Sequence, residues 1–215
     1  EPAVLHFELH SHRPSDPVPV LLASHDCTVE LLARNQWGGL GQMPAMVAAF
    51  VQPNDPAVDR LLKGAALVLQ AAGKSGAIDG YEQGPKRVWE LASALWSAVL
   101  QKKLHYALPP ASFEHTGQKV RSPGQVLDAG LATCLDLALL FAACLEQANL
   151  NPVLVFTRGH AFVGVWLNKE SFDIAGVDDA TAVRKRLKLL RFRHAEALVA
   201  GDFDEMTKLL KRHLG

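Results

Sequence analysis

The 215-residue sequence predicts an α+β fold on three observations. Alternating apolar and polar residues open the chain, proline-led helical patterns fill its middle, and an apolar helix from Cys134 is followed by strand-patterned segments. Strand-patterned and helix-patterned segments are thus both present in one chain, so a mixed fold is expected.

Val4 to His10, Val18 to Ala23 and Thr28 to Ala33 read as three short strands, separated by turns containing Pro and Asp. Residues 1–34 are therefore expected to form a small β element, either an independent sheet or edge strands of another, with residues 35–215 as the main domain. His6, His10 and His12 lie in this element, but no second histidine pair or cysteine completes a metal-ligand set, so surface histidines are expected and no metal or cofactor. Pro44 to Val51 is a short helical pattern, and Pro56 to Ala72 and Pro85 to Leu104 are longer ones, each opened by a proline suited to a first helical turn. Trp89 and Trp96, seven apart on one helix, are expected to pack in the core.

The next helix carries the chemistry. Thr133 suits an N-cap with Asp136 three residues on, which makes Cys134 the first helical residue. At that position the helix dipole and unpaired backbone amides favour negative charge, on a thiolate or on the oxygen of a tetrahedral intermediate. From Leu137 to Leu145 the helix is apolar on every side and so is expected to run through the core. On position alone, Cys134 reads equally as a buried small hydrophobe, as Cys144 does on the same helix.

The pattern downstream of the helix favours a reactive thiol. Asn149-Leu-Asn-Pro152 stops the helix, Val153 to Phe156 reads as a buried strand, and the turn Thr157-Arg-Gly159 delivers His160 at the head of a strand reaching Leu167. Asn168 to Ser171 reads as the turn of a hairpin into Phe172 to Val177. Antiparallel pairing about that turn sets Asp178 near His160, with Asp179 one step away and Asp173 nearer Gly164, so Asp178 is the first choice for a carboxylate orienting the imidazole. Asp178 and Asp179 suit equally the cap of a helix from Ala180 to Leu190, which is followed by a strand over His194 to Ala200 and an amphipathic helix over Phe203 to Leu214.

Composition narrows the function classes. Lys plus Arg equal Asp plus Glu at 22 each, so no global basic field exists and direct nucleic-acid binding is not expected. The basic run Arg184-Lys-Arg-Leu-Lys188 reads as a solvated helix face. Three cysteines without disulfide-like spacing fit a reducing compartment, and no membrane-length apolar run or signal peptide is visible, so a cytoplasmic location is expected. The chain opens on Glu1-Pro2 without methionine, which suggests a module of a longer protein.

The order of cysteine on a helix N-terminus, histidine on a strand and aspartate beyond it resembles the transglutaminase-like, papain-related superfamily, from Gln118-Lys-Val-Arg-Ser-Pro123 through Leu167. More narrowly, Trp37-Gly-Gly39, Phe50-Val-Gln-Pro-Asn-Asp-Pro56, Pro109-Pro-Ala-Ser-Phe113 and Thr133-Cys-Leu-Asp-Leu-Ala-Leu-Leu140 are similar to the transglutaminase-like region of large bacterial proteins that also carry helicase and nuclease modules. The broad likeness covers about the middle third of the chain and the narrower one nearly all of it.

The resemblance implies a papain/transglutaminase-like core in which the nucleophile helix packs on an antiparallel sheet. It also implies a Cys134 nucleophile, a His160 general base, an orienting aspartate and a thioester intermediate formed on a protein or peptide substrate. An upstream side chain usually adds an oxyanion donor; Gln118 is the first candidate, ahead of Tyr106 and Trp96. Phe162 stands where a tryptophan often follows the histidine by two, and Leu135 where glycine or tryptophan often follows the cysteine, which favours hydrolysis over amine transfer. The alternative is a catalytically inactive descendant that binds peptide or organises neighbouring modules.

Overall fold

The computed structural model describes residues 2–12, 18–31, 33–41, 44–108, 117–179 and 181. The chain forms two compact units, Glu1–Gln36 and Trp37–Gly215, and the fold is a mixture of helices and small two-stranded sheets.

The first unit is one long antiparallel hairpin of β1 (Pro2–Ser11) and β2 (Val20–Glu30). It replaces the three short strands expected, because Asp26 stays in the ladder opposite His6, whose ring bonds its carboxylate, and so does not break the strand. A bulge between Leu9 and His10 shifts the register near the hairpin's far end.

The second unit opens on β3 (Gln36–Trp37) and a 3-10 helix over Pro44–Phe50. Helix α1 (Pro56–Ala71) follows, with Pro56 in its first turn and Asp55 as N-cap. The same Asp55 carboxylate accepts from Ala57 N at 2.8 Å and Gly124 N at 3.2 Å, so it caps one helix and anchors the start of another. Helix α2 (Pro85–Leu100) packs on α1, and the chain turns through Lys103 at φ 51, which ends the helix short of the expected Leu104. Between the two helices, Arg87 is buried and ties the 73–84 connection together. It bonds Asp79 at 2.9 Å, Glu90 at 3.4 Å, and the carbonyls of Ser75 and Ala77 at 2.8 and 2.7 Å.

Four short elements then lead to the helix that Cys134 opens. Strand β4 (His105–Tyr106) is followed by β5 (Gln118–Lys119), which runs beside Trp37. Gly117 makes that approach possible: its φ is +95°, and a Cβ there would lie 2.1 Å from the Trp37 carbonyl oxygen. Helix α3 (Pro123–Ala129), not anticipated from the sequence, starts with a capping box between Ser122 and Gln125 and ends at Gly130 in the left-handed conformation. β6 (Leu131–Ala132) pairs in parallel with β4 and runs directly into α4 (Cys134–Gln147).

Helix α4 is the centre of the unit. Leu139, Leu140, Ala142, Ala143 and Cys144 are all nearly or fully inaccessible, as the all-round apolar sequence demands. It packs against α1, α2 and a hairpin of β7 (Pro152–Thr157) and β8 (His160–Val165). Two apolar clusters meet along it. Leu135, Ala138 and Leu139 pack with Trp37, Val47, Val120 and Ala161, whereas Phe141, Leu145 and Val99 belong with the α1–α2 core, the cluster against which Val165 packs. Helix and strand therefore run side by side in the same direction.

The hairpin that holds His160 is not the one expected. Arg158-Gly159, with Gly159 at φ 79, makes a two-residue turn, and His160 faces Thr157. Residues 172–177 form no strand; Asp173 and Gly176 are poor strand formers and Ile174 stays 64% exposed. Asp178 consequently has no register position opposite His160. The helix expected over Ala180 to Leu190 (Thr181 apart), the strand over His194 to Ala200 and the helix over Phe203 to Leu214 lie outside the described residues.

Candidate active site

Cys134 is the first residue of α4, capped as its neighbours demand. Thr133 Oγ1 accepts from Asp136 N at 3.0 Å, and the Asp136 carboxylate accepts from Thr133 N at 2.9 Å. Of the helix's first four amides, Asp136 N and Leu137 N are thus satisfied, the latter by the Thr133 carbonyl at 3.1 Å. Among the described residues Cys134 N–H and Leu135 N–H have no such acceptor, and the partly exposed thiol sits beside them.

The buried Asp136 does more than cap. Its second oxygen accepts from Arg121 N at 2.8 Å, and Arg121 Nη1 reaches the carboxylate at 2.9 Å. One carboxylate therefore holds both the head of α4 and the segment that carries Gln118. Gln118 Nε2 donates to Thr133 Oγ1 at 3.3 Å, which brings the nominated amide one residue from Cys134, and among the described residues its second N–H has no acceptor.

Cys134 and His160 line the same cleft, a cavity of about 570 Å³. Its walls come from α2, the 103–106 segment, α4 and the whole of β8, and all six β8 residues contribute. The His160 ring stacks against Phe162 with centroids 6.2 Å apart. Among the described residues no hydrogen bond joins the imidazole to Cys134 Sγ, and no carboxylate bonds it: Asp173, Asp178 and Asp179 are exposed, and Asp179 Oδ1 instead accepts from Thr181 N at 2.7 Å, the capping role.

Trp96 and Tyr106 both line the cleft. Trp89 and Trp96 thus face the cleft as well as packing inward, with Trp96 stacked on Phe141 at 5.1 Å. His105 is the lining residue that sequence reasoning missed. The parallel pairing of β4 with β6 sets it beside Leu131, three residues before Cys134, and a two-residue strand leaves no periodic signal to find it by.

The other cysteines differ in kind. Cys144 is buried, which pushes its thiol up to about 12, whereas Cys27 is exposed on the hairpin unit. In that unit His6 bonds Asp26 and Glu8, and Glu8 bonds His10 at 2.8 Å. Among the described residues no group of three or more His, Cys, Asp or Glu is arranged to hold a metal ion, and no helix is long and apolar enough to cross a membrane.

No family model, no curated protein and no solved structure matches this chain.

Proposed function

We propose that the chain is a cysteine hydrolase of the transglutaminase-like, papain-related kind, a protease or amidase acting on peptide bonds. The observation that carries this reading is the capped head of α4, where Cys134, two unpaired amides and the Gln118 side chain gather at one end of a cleft that also holds His160. In the proposed reaction the Cys134 thiolate attacks the substrate carbonyl, and the oxyanion is held by Cys134 N–H and the second N–H of Gln118. Protonated His160 gives its proton to the leaving amine, and water activated by the imidazole then releases the acid from the thioester. On this reading the unit is a cytoplasmic module of a longer bacterial protein, with helicase or nuclease modules as its neighbours by resemblance.

A second reading, a peptide-binding module without catalysis, is favoured by one observation: among the described residues neither a thiol nor a carboxylate bonds the imidazole. Mass-spectrometric mapping of limiting iodoacetamide separates the two. The hydrolase reading requires Cys134 to react faster than the more exposed Cys27, and His160→Ala to slow Cys134 alone. Equal labelling of Cys27 and Cys134, indifferent to His160, leaves only the binding module.

A further inference from the structure

Strand β8 has β7 on one side and, among the described residues, no strand on the other. The phase of its hydrogen bonds is fixed. The two-residue turn makes Thr157 and His160 a bonded pair, Trp166 N donates to Asn151 O at 3.1 Å at the other end, and Pro152, which has no N–H, faces Val165. Bonded positions are therefore His160, Phe162 and Gly164, and the N–H and C=O groups of Ala161, Val163 and Val165 point away from β7.

The residues of that open edge line the cleft. Ala161 to Val165 presents three outward donor–acceptor pairs over about 13 Å of strand. The facing surface is apolar and aromatic: Trp89, Trp96, Leu104, Phe141 and Leu145. Among the described residues no carboxylate lines the cavity, and Lys103 and two imidazoles are its basic groups. An unpaired edge beside an apolar trough has the two halves of a strand-addition site: main-chain bonds for affinity and a pocket for alternate side chains.

The geometry points to an extended peptide with apolar, preferably aromatic, residues at every second position as the ligand. It pairs with Ala161, Val163 and Val165, seats its alternate side chains between β8 and the aromatic wall of α2, and leads at the His160 end to Cys134. The pairing stands on the edge and the cleft alone; that this peptide is also the substrate rests on the proposed hydrolase activity.

The test is residue-resolved amide exchange by NMR on the full chain carrying Cys134→Ser, with the blocked peptide acetyl-Phe-Thr-Phe-Thr-Phe-Thr-amide. The expected result is slowing of the Ala161, Val163 and Val165 amides by about tenfold or more, with little change at Phe162 and Gly164, which already bond β7. A peptide with Asp in place of Phe should give no protection, because the trough would have to desolvate its carboxylates. Val163→Pro removes one outward N–H without touching β7 and should abolish protection at Ala161 and Val165 while Phe162 and Gly164 stay protected. Ala161, Val163 and Val165 amides already slow without peptide would mean the chain itself occupies the edge, and would overturn the proposal, as would protection elsewhere or none. Exchange protection without His160-dependent labelling of Cys134 would sustain the strand site and sink the hydrolase; the reverse result would do the opposite.

Discussion

The Gln118 side-chain amide donates to Thr133 Oγ1 at 3.3 Å, and Thr133 is the cap on which Cys134 stands. A residue of β5 and a helix terminus 15 residues further on thereby share one hydroxyl. If the uncommitted N–H of Gln118 holds the oxyanion, Gln118→Ala lowers kcat/KM for hydrolysis of a nitrophenyl ester about 100-fold. Stability should fall by no more than about 1 kcal/mol, the worth of one neutral hydrogen bond. An unchanged rate would remove Gln118 from the mechanism.

Asp136 is the next point of failure. Asp136→Asn keeps the shape but discards the charge that faces Arg121, and one of its oxygens becomes a donor set against Thr133 N or Arg121 N. Urea unfolding should show a loss of about 3 kcal/mol, as for a buried ion pair broken on one side. Iodoacetamide labelling of Cys134 should also lose its lead over Cys27, because the head of α4 is no longer held.

Gly117 tests the same region through sterics alone. Gly117→Ala places a methyl against the Trp37 carbonyl at a φ of +95°, so either β5 or the Trp37 backbone must shift. Thermal unfolding should report a loss of about 3 kcal/mol or more, part of it backbone strain.

Arg87 gives the pH dependence. Burial is the largest single influence on the Asp79 carboxyl and pushes it up, but the Arg87 guanidinium, helped by hydrogen bonds from the Asp79 backbone amide and from Gln83, holds the group below its ordinary value. Glu90 is lowered mainly by Lys74, with Arg87 adding to the effect against burial. Both carboxylates ionise more readily folded than unfolded, so their contribution is full above the ordinary carboxylate range and fades as pH drops below about 4. Arg87→Met should cost about 3 kcal/mol near neutrality. The gap in melting temperature between the two proteins should narrow as the pH is taken below about 4. A gap that widens in acid would reverse the assigned sign.

Helix α4 is legible in the sequence because three signals coincide: a Thr133–Asp136 capping pair, an unbroken apolar run and a stop at Asn149 to Pro152. The clustering of Gln118 with Cys134 is legible only as a nomination, since a contact across 15 residues with α3 between them has no period. The partner of β8 escapes the sequence pattern for a physical reason. The two-residue turn ending in Gly159 pairs β8 with β7 on one edge, while Asp173 and Gly176 keep residues 172–177 from adding a strand on the other. With that outcome Asp178 loses its place opposite the imidazole, although the position of His160 at the head of a strand is kept. His105 and α3 escape because each depends on short segments whose neighbours, not their own pattern, fix them.

The shared direction of α4 and β8 divides the cleft into a fixed end and an adjustable one. From Cys134 to Leu145 the helix advances about 16 Å, nearly the 17 Å that β8 covers from His160 to Val165. A residue inserted in α4 after Phe141 would swing everything beyond it by about 100° yet leave the capped first turn untouched. Variation at Leu145 and Val165 can thus reshape the far end of the trough while the Cys134 end keeps its place, which under the proposed hydrolase reading would let one chemistry be paired with many sequences.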